Sequence, residues 1–375
     1  MENLFDPSNI EVTMPADGLI GNAAKVTVIG VGGGGCNMIN HMINEGIHKI
    51  NLIAANTDLQ VLQTSKAPKT IQLGQELTKG LGAGMKPDKG RDSAIESYDE
   101  IVESLRSADI VFVAAGLGGG TGTGAASVVA KAAKEVGALT VSVVTKPFSW
   151  EGPKRAGLAN IGLEELKRVS DSIIVIPNDR LLAIIDKNTG FKDAFKIVDN
   201  VLYQAVNGMS EVILNHGNGD VNTDFADVQT VMQHRGMALM GIGKAKGEDA
   251  AMKALESAID SPLLDKMSLS GAKGMLIHFH IHPEISLFAI NDVMTQLHST
   301  IDGNAEVIFG TTTDTSLEND EVKITIVATG FDAATDEVEN TEESLSETSL
   351  SKPVKVDDYE IPPLMRNYQL KYQLI

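Results

Sequence analysis

Two glycine-rich turns constrain this chain more than any other feature, because each sits between a strand-like run and a helix-like run. The second, GLGGGTGTG from Gly116 to Gly124, holds six glycines in nine residues and no charge. It follows the apolar run ADIVFVAA and precedes AASVVAKAAKEVG, which reads as a helix. The first, Gly30-Val31-Gly32-Gly33-Gly34-Gly35, fits G-x-G-x-x-G after KVTVI and before an apolar-patterned helix ending near Gly46. Glycine loses more conformational entropy on folding than other residues, and it permits close approaches that a Cβ forbids. Six glycines exceed what helix–strand packing alone requires, so the pattern predicts a ligand near this backbone. A helix start offers unpaired N–H groups and a positive dipole end, which suits a phosphate. Thr121 and Thr123 add hydroxyl donors. No G-x-x-x-x-G-K-[ST] occurs anywhere, so phosphate charge must be offset by backbone dipoles and a bound cation.

The surrounding pattern predicts the fold. Strands are expected at 25–32, 50–58, 70–74, 108–116, 138–145 and 172–179, with a loop at 80–90 and a helix over roughly 92–107. Nearly continuous apolar strands alternating with helices indicate a parallel sheet covered on both faces, hence a doubly wound α/β nucleotide-binding domain. Residues 191–217 read as one long helix, apolar around most of its circumference and therefore buried between domains. Beyond it, strands at 237–245, 274–282, 305–313 and 322–330 with helices 248–260 and 284–298 predict a smaller α+β domain with a mixed sheet. The expected division is a leader (1–24), a nucleotide-binding domain (25–190), the central helix (191–217), a second domain (218–331), a disordered linker (332–356) and a terminal peptide (357–375).

Charge and cysteine content narrow the classes. The net charge is −19, from 31 basic and 50 acidic residues, which argues against broad nucleic-acid binding. Residues 332–360 carry ten acids and two lysines, in a stretch poor in aromatics, the signature of a disordered linker. Cys36 is the one cysteine, which excludes an internal disulfide and fits a reducing cytoplasm. No signal peptide is visible, and no apolar run approaches the roughly 20 residues that span a bilayer. A nicotinamide dinucleotide site would want an acidic residue closing the second strand; Asn56 and Thr57 stand there, with Asp58 beyond.

The segments IGVGGGGCN, AANTD, GLGAG, AAGLGGGTGTGAA, VVTKPFSWEGPKR, IPND and DFADV occur in the order of the tubulin/FtsZ GTPase family. Together they span 25–330, and the chain resembles most closely the bacterial cell-division branch of that family. The resemblance implies GTP/GDP as ligand, with Mg2+ and a monovalent cation as candidate companions and no metal ligands assigned. It implies a first nucleotide loop at Gly33, Gly34, Gly35, Cys36 and Asn37. Ala83, Gly84 and Met85 would lie near the γ-phosphate, and Gly118, Gly119, Gly120, Thr121 and Gly122 would form the phosphate loop. Glu151 and Arg155 would contact the ribose. Asn178, Phe195 and Asp199 would form the base pocket, the carboxylate accepting from guanine N1–H and its 2-amino group. Asn222, Asp224 and Asp227 of VNTDFADV would form a catalytic loop that completes the site of the next copy in a head-to-tail polymer. Taken alone, two aspartates at i and i+3 by a helix start are capping residues more often than catalysts. EIPPLMR near the end resembles the family's partner-binding peptide, which implies membrane-tethering and regulatory division proteins as partners and a cytoplasmic place at mid-cell, without membrane insertion.

Two other patterns are set beside these. HFHIH puts His278, His280 and His282 on one strand face, read as a solvated face in preference to a metal site. Three functional classes are carried: a polymerising GTPase, an NAD-dependent oxidoreductase disfavoured by Asn56, and an assembly protein without turnover, disfavoured by Asp224 and Asp227.

Overall fold

The fold was taken from a computed structural model. It describes residues 24–331 apart from His48, Ala183, Ile184, Lys187, 215–219, Asn222, Arg235, Pro262, Leu263 and 265–268. The leader up to residue 23, the linker, the terminal peptide, the end of the long helix and Asn222 therefore lie outside the described residues.

Among the described residues ten strands form one sheet in the order β3-β2-β1-β4-β5-β6-β7-β10-β8-β9. They are β1 (Val26–Val31), β2 (Ile50–Asn56), β3 (Lys69–Gln72), β4 (Ile110–Gly116) and β5 (Leu139–Lys146). Next come β6 (Ser172–Pro177), β7 (Met237–Lys246), β8 (Gly274–Ile281), β9 (Glu306–Thr313) and β10 (Glu321–Phe331). From β3 to β6 every pairing is parallel. β6 meets β7 through a short parallel seam, Ile173 to Met237 and Ile174 to Ala238. Beyond the seam the sheet is mixed: β10 runs antiparallel to β7 and β8, and β8 runs parallel to β9. The α/β class and mixed second half expected from the sequence are present.

Alternate residues of the central strands feed opposite cores, which is why those strands are apolar throughout. Val26, Val28, Ile110 and Phe112 pack with helix Gly32–Asn44 and helix Phe191–Leu214. Ile29, Val31, Val111 and Val113 face the other way, towards Tyr98–Leu105, Thr121–Glu135 and Pro153–Val169. Leu276 and Val327 of the mixed half join the first of these cores. The long helix thus lies against both halves of the sheet, which accounts for apolar residues on so much of its surface.

Two local expectations are corrected. The stretch 80–90 is not all loop: a helix runs Pro87–Glu96, with proline in its first turn. Proline is at home there because its missing N–H would have had no partner. Gly90 lies inside this helix because a Cβ would be 2.4 Å from Gly120 O. The histidine face is only partly solvated: His278 is buried, its Nε2 3.0 Å from Thr312 Oγ1, whereas His280 and His282 are half-buried.

Candidate functional site

β1 is the first strand, and the chain builds β2 and β3 on one side of it before crossing to β4 on the other. In open α/β sheets a crevice forms at such a switch point, outside the carboxyl ends of the strands. A cleft of about 400 Å³ lies here, floored by Gly33, Gly34 and Asn37 after β1 and by Gly116, Leu117 and Gly119–Gly122 at the end of β4 and beyond it. Thr145, Pro147, Glu151, Arg155 and Asn178 form one wall; Phe195, Val198, Asp199 and Leu202 of the long helix form the other. Two helix starts, at Gly32 and Thr121, meet at this floor. Their unpaired N–H groups make it an anion site.

The glycines divide by what a side chain would meet. At Gly33 and Gly119 a Cβ would meet nothing within 4 Å. Both border the cleft, so their bareness leaves room for a ligand. Packing accounts for several of the others. A Cβ on Gly124 would lie 1.9 Å from Pro87 O, and one on Gly122 would lie 2.5 Å from Gly116 O. Packing therefore demands more of the motif than the sequence suggested.

Of the implied nucleotide contacts, Gly33, Gly34, Asn37, Gly119, Gly120, Thr121, Gly122, Glu151, Arg155, Asn178, Phe195 and Asp199 line the cleft. Five do not. Gly35 backs onto β4, where a Cβ would be 2.5 Å from Ala114 O. Cys36 is fully buried behind the floor; burial pushes its thiol up to about 11, which makes it unreactive. Gly118 has φ +97° and faces Arg155 O. Ala83 is buried beneath Gly120. Gly84 turns the 80s loop at φ 58°. Leu117, Thr145, Pro147, Val198 and Leu202 were missed from the sequence. The signal was there for the last two, which follow Phe195 at helical i, i+3 and i+7 spacing.

The polar atoms of the wall await a partner. Asn178 Oδ1 and Arg155 Nε are buried without a hydrogen bond among the described residues. Buried polar atoms are otherwise nearly always paired. Glu151 fixes the arginine by an ion pair of 2.8 Å to Nη1 and accepts from Phe148 N at 2.9 Å. Thr121 Oγ1 is held 2.6 Å from Thr57 Oγ1. Burial raises the carboxyl of Asp199 to about 6, although His41 pulls it down. Beside Phe195 opens an apolar groove lined by Phe148, Trp150, Leu182 and Phe191. Trp150 and Phe191 are mostly exposed there, with ring centroids 6.1 Å apart.

Asp224 and Asp227 do not line the cleft. The long helix begins beside it and ends at Leu214, which borders Val26 and Ile50 at the amino ends of β1 and β2. At 1.5 Å per residue its 24 residues extend about 36 Å. The two aspartates follow that far end, both exposed, at the start of helix Phe225–Met232. Asp224 occupies the cap position, yet its side chain accepts no capping hydrogen bond. The capping role open to it from sequence is not taken.

A family model described as Tubulin/FtsZ family, GTPase domain, matches residues 25–186, and one described as FtsZ family, C-terminal domain, matches 236–332. Among solved structures, an empty FtsZ dimer from M. jannaschii is 46% identical, covering 82% of this chain and 88% of that one, with a TM-score of 0.76. A GTPγS-bound protofilament of CetZ2 from Haloferax volcanii is 21% identical, covering 82% and 94%, with a TM-score of 0.71. At that identity it speaks for the fold alone. M. jannaschii is an archaeon, so these likenesses carry the family and not the bacterial branch expected from the motifs.

Proposed function

This chain belongs to the tubulin/FtsZ family of GTPases, and on that premise we propose that it is a self-assembling cytoskeletal GTPase. Its copies stack head to tail, and GTP is hydrolysed at a site shared between neighbours. One observation carries the reading: the anion-binding cleft borders the start of the long helix, whereas the exposed carboxylates of Asp224 and Asp227 follow its far end. A single subunit cannot bring them together. A heterologous contact can, and it generates open filaments. Trp150 and Phe191 are exposed beside the cleft, and Leu287 and Phe288 are exposed on the mixed half, apolar surface that a contact between copies would bury.

In this reading the Gly119–Gly122 amides and the two helix starts hold the phosphates, Arg155 and Glu151 the ribose, and Phe195 stacks on the base. Asp199 and Asn178 read the base. A site built to accept from guanine leaves its acceptors unpaired against adenine, so GTP is preferred. The neighbour's Asp224 and Asp227 polarise the water in line with the γ-phosphate, and Asn222 orients their loop. Mg2+ when bound would spread the phosphate charge. No group of three or more acidic, His or Cys side chains among the described residues could cage it, so the triphosphate supplies its main ligands, as is usual for this ion. Assembly into a division ring at mid-cell, with partner proteins on the terminal peptide, is proposed on the resemblance of the tail. No helix among the described residues is long and apolar enough to cross a membrane.

The test is GTP turnover across a dilution series. Specific activity should rise with protein concentration, and Asp224→Ala should bind GTP normally while turning it over at least tenfold more slowly. Constant specific activity down to concentrations where only monomer sediments would sink the shared site.

A further inference from the structure

β9 is the outermost strand of the mixed half. One edge of its backbone would face solvent with unpaired N–H and C=O groups, which folded proteins usually cover. The segment carrying the candidate carboxylates covers it. Thr311 N donates to Val221 O at 3.0 Å. Val221 N donates back to Thr311 Oγ1 at 2.9 Å. Thr313 N donates to Asp220 Oδ1 at 3.0 Å, and Thr223 Oγ1 to Phe309 O at 3.4 Å. Between these anchors sits Gly310, where a Cβ would be 2.6 Å from Thr223 Oγ1 and 3.3 Å from Val221 O. The segment lies so close to the strand that no side chain fits between. From its inner side β9 is fixed by β8, through His278 to Thr312 at 3.0 Å and His280 to Asp314 at 3.1 Å.

Asp224 follows the buried Thr223 directly, in extended backbone and without a capping bond of its own. Its side chain is therefore free of the helix, whose first turn holds only its carbonyl, through Asp227 N at 3.0 Å, and the strand edge fixes the residues that lead into it. We propose that Thr311 and Asp220 are positioning residues for hydrolysis. The Thr311 hydroxyl and the Asp220 carboxylate clamp the segment so that Asp224 and Asp227 project at a fixed height from the sheet edge into the neighbour's nucleotide site. This rests on the shared-site reading above. Displacement of a catalytic group by about 1 Å can cost on the order of 100-fold in rate, so loosening one clamp should show in turnover before it shows in stability.

The experiment compares Thr311→Val with Thr311→Ser, and Asp220→Ala with Asp220→Asn, in the full chain. Valine keeps the shape and loses the acceptor for Val221 N; serine restores the hydroxyl. Asparagine keeps an acceptor for Thr313 N. Turnover at saturating GTP, per sedimented subunit, should fall roughly tenfold in Thr311→Val and Asp220→Ala. It should recover to within about threefold in the serine and asparagine variants. GTP affinity and KM should stay within about twofold throughout, because the clamp touches only the far end. Asp224→Ala and wild-type dilution run alongside. If Asp224→Ala is slow but both clamp-breaking variants turn over at the wild-type rate, the clamp is wrong and the shared site stands. If Asp224→Ala turns over normally, or wild-type activity is independent of concentration, the shared site falls and the clamp with it. Should Thr311→Val fail to fold, the pair at the half-buried Asp220 decides the question alone.

Discussion

Asp199 concentrates the chemistry of the cleft in one side chain. Its carboxyl is raised from 3.8 to about 6 by burial, so the charged form that a guanine would need is the form the empty fold disfavours. Because the folded value lies above the unfolded one, ionisation costs stability. That cost is absent below about pH 4, grows through the interval and is complete above about 6. Asp199→Asn should therefore raise the melting temperature of nucleotide-free protein by roughly 2–5 °C at pH 7.5, with the gain shrinking as pH falls towards 4. The same variant should bind GTP at least tenfold more weakly, since an amide NH2 faces guanine donors. Calorimetry with and without nucleotide checks both halves; a variant that loses stability at neutral pH contradicts the assignment. Gly119 offers a second residue-scale test. Alanine there meets no protein atom within 4 Å, so Gly119→Ala should melt like wild type and lose GTP affinity by about tenfold or more. Gly118→Ser is a poorer probe, because a side chain at φ +97° against Arg155 O strains the fold itself.

At the scale of elements, the phosphate floor is held by two helices packed backbone to backbone. Pro87–Glu96 and Thr121–Glu135 approach so closely that Gly90 and Gly124 each face a carbonyl oxygen of the other segment. Gly124→Ala would place a Cβ 1.9 Å from Pro87 O and must push the helices apart. It should cost about 1–3 kcal/mol of stability, in the range of core overpacking, and weaken GTP along with it. Denaturant unfolding beside nucleotide titration separates it from Gly119→Ala, which should change binding alone. Equal stability of the two variants would mean that the contact between the helices yields easily.

At the scale of the whole molecule, the long helix spaces the two half-sites and so makes assembly part of the chemistry. Mixing Asp224→Ala with Gly119→Ala should restore turnover that neither has alone, because one copy keeps its cleft and the other its carboxylates. Mixed contacts form in only a fraction of the filament, so recovery should reach some tens of per cent of wild type at most. Mixtures no faster than the sum of the separate variants would count against a composite site.

The sequence by itself determined the order and kind of the elements. Parallel strands buried on both faces must be apolar throughout, and that signal is local. It likewise carried the two glycine turns, and through Phe195 and Asp199 one helical face of the cleft. Only the tertiary structure decided which glycines keep space open and which admit a neighbouring backbone, because Gly119 and Gly124 look alike in sequence and differ in what stands across from them. It buried His278, with Thr312 beside it and Glu211 of the long helix near enough to act on its charge, where alternation alone could not say which face was covered. It also hung the carboxylate segment on a strand some 90 residues further along, from Val221 to Thr311. Each of these depends on what packs opposite a residue, and a contact between distant segments leaves no period in the sequence of either.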